Sequence, residues 1–522
     1  MGIAVKSVDE FPRHLDHHSV MKLSIPRIFR VAIIISLLPG AIHKRGFAQT
    51  PAPLSAPPDS VVSKVLRVIE SGNARERGAL IRSSFTAKAT GEDSARFDRF
   101  LASMHDEGAP FVVSGVDRSG RHALIKLTSA RAHRAVTLMI STDRANPPAL
   151  GNVDILSAND AVLDSLVWPE RRSRKDADVV RIVNANLERL AKSDALSGVV
   201  YIAAHDSVVY ARGFGLADRE DSVANTVRTR FALASMGKMF TATAILQLAD
   251  KGRLNLDDTL AKVLPRYPNA DRAGKITIRH LLSHTSGMGD QWSTPRRPVP
   301  GLTGALGTAA AVAYAPLLFE PGAQWSYSNE GYNVLAAIIE EVSGSTFKDY
   351  IRREILAKAG MTETVLDGGS DDIIPRRAVG YRPRENDLLG AGPLRANWSF
   401  MVGSSAGGAG GGYSTAGDLA KFGRALREGR LISVALRDSM WTGRWPIPGY
   451  TDEKYGWGSF VQQVGEHKIV GHGGGGTGSG IDTGFRQFAD GSYTIVVLTN
   501  MEPPTATRIT GALTKLLAAP PE

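Results

Sequence analysis

Between Asp178 and Ser193, apolar residues recur at Val180, Val183, Leu187 and Leu190, a spacing that predicts a helix with one buried face. Directly after it, Gly198–Ala204 and Val208–Tyr210 are near-continuous apolar runs. They read as two strands joined by a tight turn at Asp206-Ser207. The far end of the chain mirrors this, with Tyr493–Thr499 as a strand and Ala506–Leu517 as a closing helix. The middle is dominated by helical spacing. Phe231–Leu248 predicts a long apolar helix, Tyr332–Val342 another, and His467–Val470 a short strand. Strands at both ends around a helical middle predict one α/β (α+β) unit over 178–518 whose sheet draws on both ends of the segment. No repeat recurs at a fixed period.

The first third is patterned differently. Val61–Ser71 and Ser94–Glu107 have helical spacing, and Phe111–Val116, His122–Thr128 and Ala135–Ser141 are β-rich runs separated by turn residues. A small α+β domain over 61–165 is expected, followed by a charged linker at 166–177. Before it, Thr50–Pro58 is proline-rich, and 49–60 reads as a spacer. Earlier still, Lys22, Arg27 and Arg30 precede the apolar stretch Val31–Leu38, and Gly46-Phe47-Ala48 offers small residues for cleavage. Residues 1–48 have the layout of a secretory signal region, and the apolar stretch is far shorter than the ~20 residues that span a bilayer. Export, to a periplasm or the medium, is the expected destination, with a short uncleaved anchor as its alternative.

Composition narrows the chemistry. The 522 residues contain no cysteine, which excludes disulfides, thiolate metal sites and a cysteine nucleophile. The net charge is +10 and suggests nucleic acid at first sight. Seven Lys/Arg and three Asp/Glu lie in 1–48, so the remainder carries 55 against 49, or +6. Apart from Arg171–Lys175, which solvates the second linker, the basic residues are dispersed. A small molecule or peptide is therefore the expected partner, with cell-wall association open, and nucleic acid is not.

Ser235 and Lys238 lie three apart at the expected start of the apolar helix, so their side chains face the same way. A lysine amine in an apolar setting can take a serine proton, and the helix N-terminus offers N–H groups to an oxyanion. Alone the pattern is weak: about two Ser-x-x-Lys are expected by chance in a chain this long, and Ser345–Lys348 is a second. Its company adds weight. Tyr327-Ser328-Asn329 follows Ser235 after 92 residues, and His472-Gly473-Gly474-Gly475 follows Tyr327 after 145. Glycine there lets a strand edge approach a substrate closely.

This ordered trio resembles the serine β-lactamase and penicillin-binding protein superfamily, in the branch of AmpC-type lactamases, DD-carboxypeptidases, D-aminopeptidases and lactamase-like esterases. Leu281–Gly287, Phe319–Gly322 and Tyr413–Leu419 extend the likeness, which covers about 187–517. It implies a β-lactamase-like fold: an antiparallel sheet from both ends of the domain plus a helical subdomain. It also implies Ser235 as the acylated nucleophile, Lys238 as its proton acceptor and Tyr327 as a second base. Asn329, His472, Gly474 and Gly475 fall on the substrate and oxyanion positions. The pattern departs from the family at His472 and Gly473, where many members have Lys-Thr. The pair that grips a substrate carboxylate is then missing, and a free imidazole titrates near 6.5, so His472 is expected to put an inflection into the pH profile.

The expected function is an exported serine hydrolase acting on ester or amide bonds without metal or cofactor. Its rivals are a β-lactamase or DD-carboxypeptidase, and a non-catalytic binder of peptidoglycan or peptide. Gly403–Gly407 fits a Gly-x-Ser-x-Gly elbow but lacks the following helix, and a glycine loop beside the site is preferred. His280 and His284 have metal-ligand spacing without the intervening glutamate of a zinc protease, and structural roles are preferred.

Overall fold

The computed structural model describes most of the chain from Ser60 to Pro521; it leaves out 1–59 and short internal stretches, chiefly 85–90, 143–149, 161–167, 290–293, 383–394 and 397–406. The signal-like region, nearly all of the proline-rich spacer, Gly403–Ala406, and Arg171, Arg172, Arg174 and Lys175 lie outside the described residues.

The first described part opens with three helices, α1 (Ser60–Ser71), α2 (Ala74–Ser84) and α3 (Gly91–Gly108). Four strands follow, β1 (Phe111–Ser119), β2 (His122–Ser129), β3 (Arg134–Thr142) and β4 (Leu150–Asp160), as an antiparallel meander. Val65 and Ile69 of α1 and Leu101 and Met104 of α3 share a core with Ile125 and Leu127 of β2 and Leu138 of β3. The alternation of Ile125 and Leu127 sets the face the sheet buries. The fourth strand was not legible in the pattern, because Gly151, Asn152, Asp154, Asn159 and Asp160 all have low strand propensity.

The larger part begins with α4 (Asp176–Lys192) and the hairpin β5 (Gly198–Ala204) and β6 (Ser207–Phe214). The hairpin turn is His205-Asp206, one residue earlier than expected. Both residues have positive φ, +44° and +67°, the conformation a two-residue turn needs to match strand twist. A short strand β7 (Phe231–Ala232) leads to α5 (Lys238–Asp250), and α6 (Ile278–Leu282) and α7 (Asn329–Ser343) continue the helical body. After β8 (Tyr413–Ser414) and α8 (Ala416–Arg427) come six strands. These are β9 (Trp445–Pro446), β10 (Glu453–Tyr455), β11 (Phe460–Val464), β12 (His467–Gly475), β13 (Asp482–Phe488) and β14 (Tyr493–Thr499), and α9 (Thr505–Ala518) closes the chain.

All six join β5 and β6 in one antiparallel sheet, in the order β9-β10-β11-β12-β13-β14-β5-β6. The N-terminal hairpin thus pairs with the last strand, as the expectation of a sheet from both ends required. Strand parity builds the layers. Ile495 and Val497 of β14 pack with Val183 and Leu187 of α4 and Ile509 and Leu513 of α9. Their neighbours Val496 and Leu498 face the opposite side, toward Leu419 and Phe422 of α8. The sheet is therefore sandwiched between the terminal helices and the helical body. This is the β-lactamase-like fold.

Candidate active site

The long helix expected over Phe231–Leu248 starts later than its apolar pattern. Phe231 and Ala232 pair with Ser414 and Tyr413 as β7 and β8, and Ala234 then takes φ of +44°, a conformation that is costly for any residue with a Cβ. Its carbonyl accepts from Gly411 N at 2.9 Å. Gly410 passes so near that a Cβ there would lie 2.1 Å from the same oxygen. The chain thus turns sharply through a 3-10 turn, Ala234–Gly237, before α5 begins at Lys238. Ser235 sits on that turn, at the head of a helix whose residues 238–248 are all buried. A helix that is apolar all round must be buried in this way.

Lys238 is 0% exposed. Its Nζ lies 3.1 Å from Ser235 Oγ, 2.5 Å from Asn329 Oδ1 and 2.6 Å from the Ala409 carbonyl. An ammonium has three N–H donors, and here it meets three neutral acceptor oxygens. The Tyr327 ring centroid is 4.8 Å from the same nitrogen. Between Tyr327 and Asn329, Ser328 is extended (φ −139°, ψ 111°) and caps α7 by accepting from Gly331 N at 3.0 Å. Extended backbone sends the residues on either side of Ser328 to one face, and Tyr327 and Asn329 both reach Lys238. Asn329 is the first residue of the helix, three residues earlier than the apolar spacing indicated.

The glycine segment continues β12 to Gly475 instead of ending it at Val470. A Cβ on Gly474 would lie 2.2 Å from Leu233 O and 3.1 Å from Ser235 N, so only glycine lets the strand press against the turn that carries Ser235. Gly475 pairs with Asp482 and Gly473 with Gly484. Ser235, Lys238, Tyr327 and Asn329 thus form one cluster, and the strand carrying Gly474 and Gly475 runs along its serine side.

His472 corrects an expectation. It is 1% exposed, with Nε2 3.1 Å from the Tyr455 hydroxyl and Nδ1 2.5 Å from the Gly473 carbonyl. A carbonyl only accepts, so Nδ1 carries the hydrogen and Nε2 accepts from Tyr455. Burial above all, and then the charge of Lys238, pushes its pKa down to about 3. Such a His472 is neutral across the working range, and no inflection near 6.5 is expected from it.

The other candidates fall away from this cluster. His280 caps α6, with Nδ1 accepting from Thr277 N at 3.3 Å. The helix ends at Leu282, so His284 does not share its face, and its Nδ1 accepts from Ser328 N at 3.1 Å. Among the described residues no three His, Asp or Glu are grouped to hold a metal ion. Lys348 bonds Asp367 at 3.0 Å and lines a cavity of about 390 Å³ that also touches Gly407 and Gly408, but not Ser235, Lys238 or Tyr327. Gly407 closes a turn with Gly410 rather than opening a helix. Sequence reasoning missed Ala409, Tyr455 and the clamp from His284. Ser328 was the findable signal, a serine just ahead of an apolar-periodic run.

A serine and a lysine at the head of a buried helix, a Tyr-x-Asn facing them and a glycine strand alongside define a serine hydrolase of the β-lactamase and penicillin-binding protein superfamily. Residues 183–519 match the Beta-lactamase family model, and the chain belongs to that family. Penicillin-binding protein 4* of Bacillus subtilis (strain 168) is 32% identical over 332 residues, covering 61% of this chain and 71% of that protein. The crystal structure of a penicillin-binding protein from Bacillus halodurans is 27% identical with a TM-score of 0.54, covering 63% of this chain and 99% of that one. A D-stereospecific amidohydrolase from Streptomyces sp. is 26% identical with a TM-score of 0.52, covering 65% and 98%.

Proposed function

We propose that the chain is an exported serine hydrolase that forms an acyl-enzyme at Ser235 and acts on esters or amides lacking a carboxylate next to the scissile bond. In this reading the reacting form of Lys238 is the neutral amine. It keeps its N–H bonds to Asn329 Oδ1 and the Ala409 carbonyl and uses its lone pair to take the Ser235 proton as Oγ attacks the carbonyl carbon. The N–H groups of Ser235 and Gly475 receive the oxyanion. Tyr327 protonates the leaving alkoxide or amine and then takes a proton from the water that frees the enzyme. Asn329 holds Lys238 and the substrate amide. The observation that carries the substrate preference is His472, buried and neutral between Tyr455 and the Gly473 carbonyl. With a glycine next to it, that position offers a substrate carboxylate neither a cation nor a hydroxyl. The apolar stretch before Ala48 supports export.

A second reading, acylation by β-lactams, is favoured by the names of the penicillin-binding relatives. One panel separates the two: activated short-chain esters, D-amino-acid amides, nitrocefin and a fluorescent penicillin, each with wild type and Ser235→Ala. Turnover of esters or amides that requires Ser235, with slow or absent nitrocefin hydrolysis, is expected. Nitrocefin as the best substrate would overturn the preference.

A further inference from the structure

His284 is fully buried behind Tyr327 and takes no part in the chemistry above. Its φ is +59°, and its ring centroid lies 4.3 Å from that of Tyr327, 4.6 Å from Tyr455 and 5.0 Å from Tyr332. Two hydrogen bonds run to it from the loop that carries Tyr327. Ser326 N donates to the His284 carbonyl at 2.9 Å, and Ser328 N donates to Nδ1 at 3.1 Å. Because Nδ1 accepts, the ring hydrogen is on Nε2. Burial first, then the nearby Lys238 and His472, holds the imidazole well below its ordinary pKa, so it stays a neutral acceptor. Nε2 itself has no hydrogen-bond partner among the described residues.

We propose that His284 is the positioning residue of the active site: its Nδ1 fixes Ser328 N, and through it sets Tyr327 and Asn329 against Lys238. Ser328 is held at three points, its N by His284, its Oγ donating to Gly289 O at 2.9 Å and accepting from Gly331 N. Its two neighbours carry the phenol and the amide that meet Lys238. Without the Nδ1 acceptor, the Ser328 N–H is left buried and unpaired, which is expensive, and the loop rotates to find another acceptor. That rotation moves Tyr327 and Asn329 together while β12 stays in place. A displacement of about 1 Å at a reacting group costs roughly 100-fold in rate. Substrate binding along β12 changes little.

The proposal rests on the reading of Ser235 as nucleophile. Its test uses two amides of opposite reach. In His284→Asn, Oδ1 falls near the place of Nδ1, and asparagine tolerates positive φ. In His284→Gln, Oε1 falls near Nε2 instead. On a neutral ester the Asn variant should keep kcat within about threefold of wild type, whereas the Gln variant should lose roughly 100-fold with KM changed only a few-fold. A merely structural histidine would rank the two by melting temperature and not by acceptor position. Equal kcat in the two variants, high or low, overturns the proposal. Should the Gln variant not fold, nitrogen-15 spectra of the wild-type histidines decide: Nε2–H at His284 supports it, and Nδ1–H overturns it. Activity that survives Ser235→Ala sinks the functional reading and this proposal with it. Equal Asn and Gln variants sink only the proposal.

Discussion

Ser235–Lys238 and Ser345–Lys348 have the same spacing and both stand near the start of a helix, yet they are built for different things. Lys348 is 32% exposed and ion-paired with Asp367 at 3.0 Å. The Ser345 N–H donates to Ser343 Oγ at 3.2 Å, and no bond between the Ser345 hydroxyl and Lys348 corresponds to the 3.1 Å contact of Ser235 Oγ with Lys238 among the described residues. The partly exposed Lys348–Asp367 pair is worth less than about 1 kcal/mol, and Lys348 lies at a cavity that does not touch Ser235, Lys238 or Tyr327. Lys238 is buried, its three donors matched by neutral oxygens, and the turn before it is bent by a positive φ at Ala234 and pressed by Gly474. Spacing makes two side chains face the same way. What sets Ser235 and Lys238 apart is burial, oriented acceptors and a glycine strand pressed against their turn.

The largest test of this contrast is direct. Ser235→Ala should abolish fluorophosphonate labelling and lower ester turnover by about 10⁴-fold or more, while Ser345→Ala stays within twofold. Labelling that persists in Ser235→Ala, or vanishes in Ser345→Ala, inverts the comparison.

The same contrast shows what could be read in advance. The outer frame was legible because α4 and α9 carry a helical period, while β5 and β14 are short continuous apolar runs buried on both faces of the sheet. Ser235, Lys238, Tyr327 and Asn329 were legible because their order and company resemble a family. The start of α5 was not, since the apolar run continues through β7 and the 3-10 turn, and nothing in the composition of Ala234 announces a positive φ. Tyr455, Ala409 and His284 reach the site only through tertiary pairing: β10 with β11, the glycine turn with α5, and the α6 end with the Tyr327 loop. Contacts between residues tens to hundreds of positions apart leave no local pattern. The titration of His472 was misjudged for the same reason, because burial is a property of the fold.

A smaller effect is expected at the lysines. Lys238→Arg keeps a charge but puts a planar fork where three convergent acceptors suit an ammonium, and it cannot be deprotonated. It should cost about 10²–10⁴ in kcat/KM on a neutral ester, the range of general-base loss, while Lys348→Arg changes nothing beyond twofold. If Lys238→Arg retained full activity, Lys238 would be a structural cation like Lys348.

Next is the substrate. A position without cation or hydroxyl forgoes a charge-assisted hydrogen bond of about 1.5–3 kcal/mol to a carboxylate, or one to two decades in specificity. Short-chain activated esters should therefore exceed nitrocefin in kcat/KM by about 10–100-fold. Replacing His472-Gly473 by Lys-Thr should narrow the gap. A gap that widens instead would show that the carboxylate is gripped elsewhere.

The smallest effect concerns protons at His472 and follows from its burial. Unfolded, its imidazole takes a proton near pH 6.5; folded, it does so only at about 3. Between these values the unfolded state binds more protons, so stability falls as the pH drops. Linkage puts the loss at about 2 kcal/mol by pH 5, or a few degrees in Tm. Other groups titrate in the same window. Burial raises Glu502 to about 7 and Asp482 to about 6, and because their folded forms take the proton first, they stabilise the protein as the pH falls. His284, lowered by burial, acts in the same direction as His472. All three are common to wild type and His472→Gln, so the difference between the two proteins isolates His472. The Tm of wild type should drop relative to His472→Gln on going from pH 8 to pH 5. Over the same range the kcat/KM profile of wild type on a neutral ester should show no inflection that the variant lacks. Parallel Tm curves would mean that His472 is solvated in the folded protein, and that its burial as a neutral imidazole does not hold.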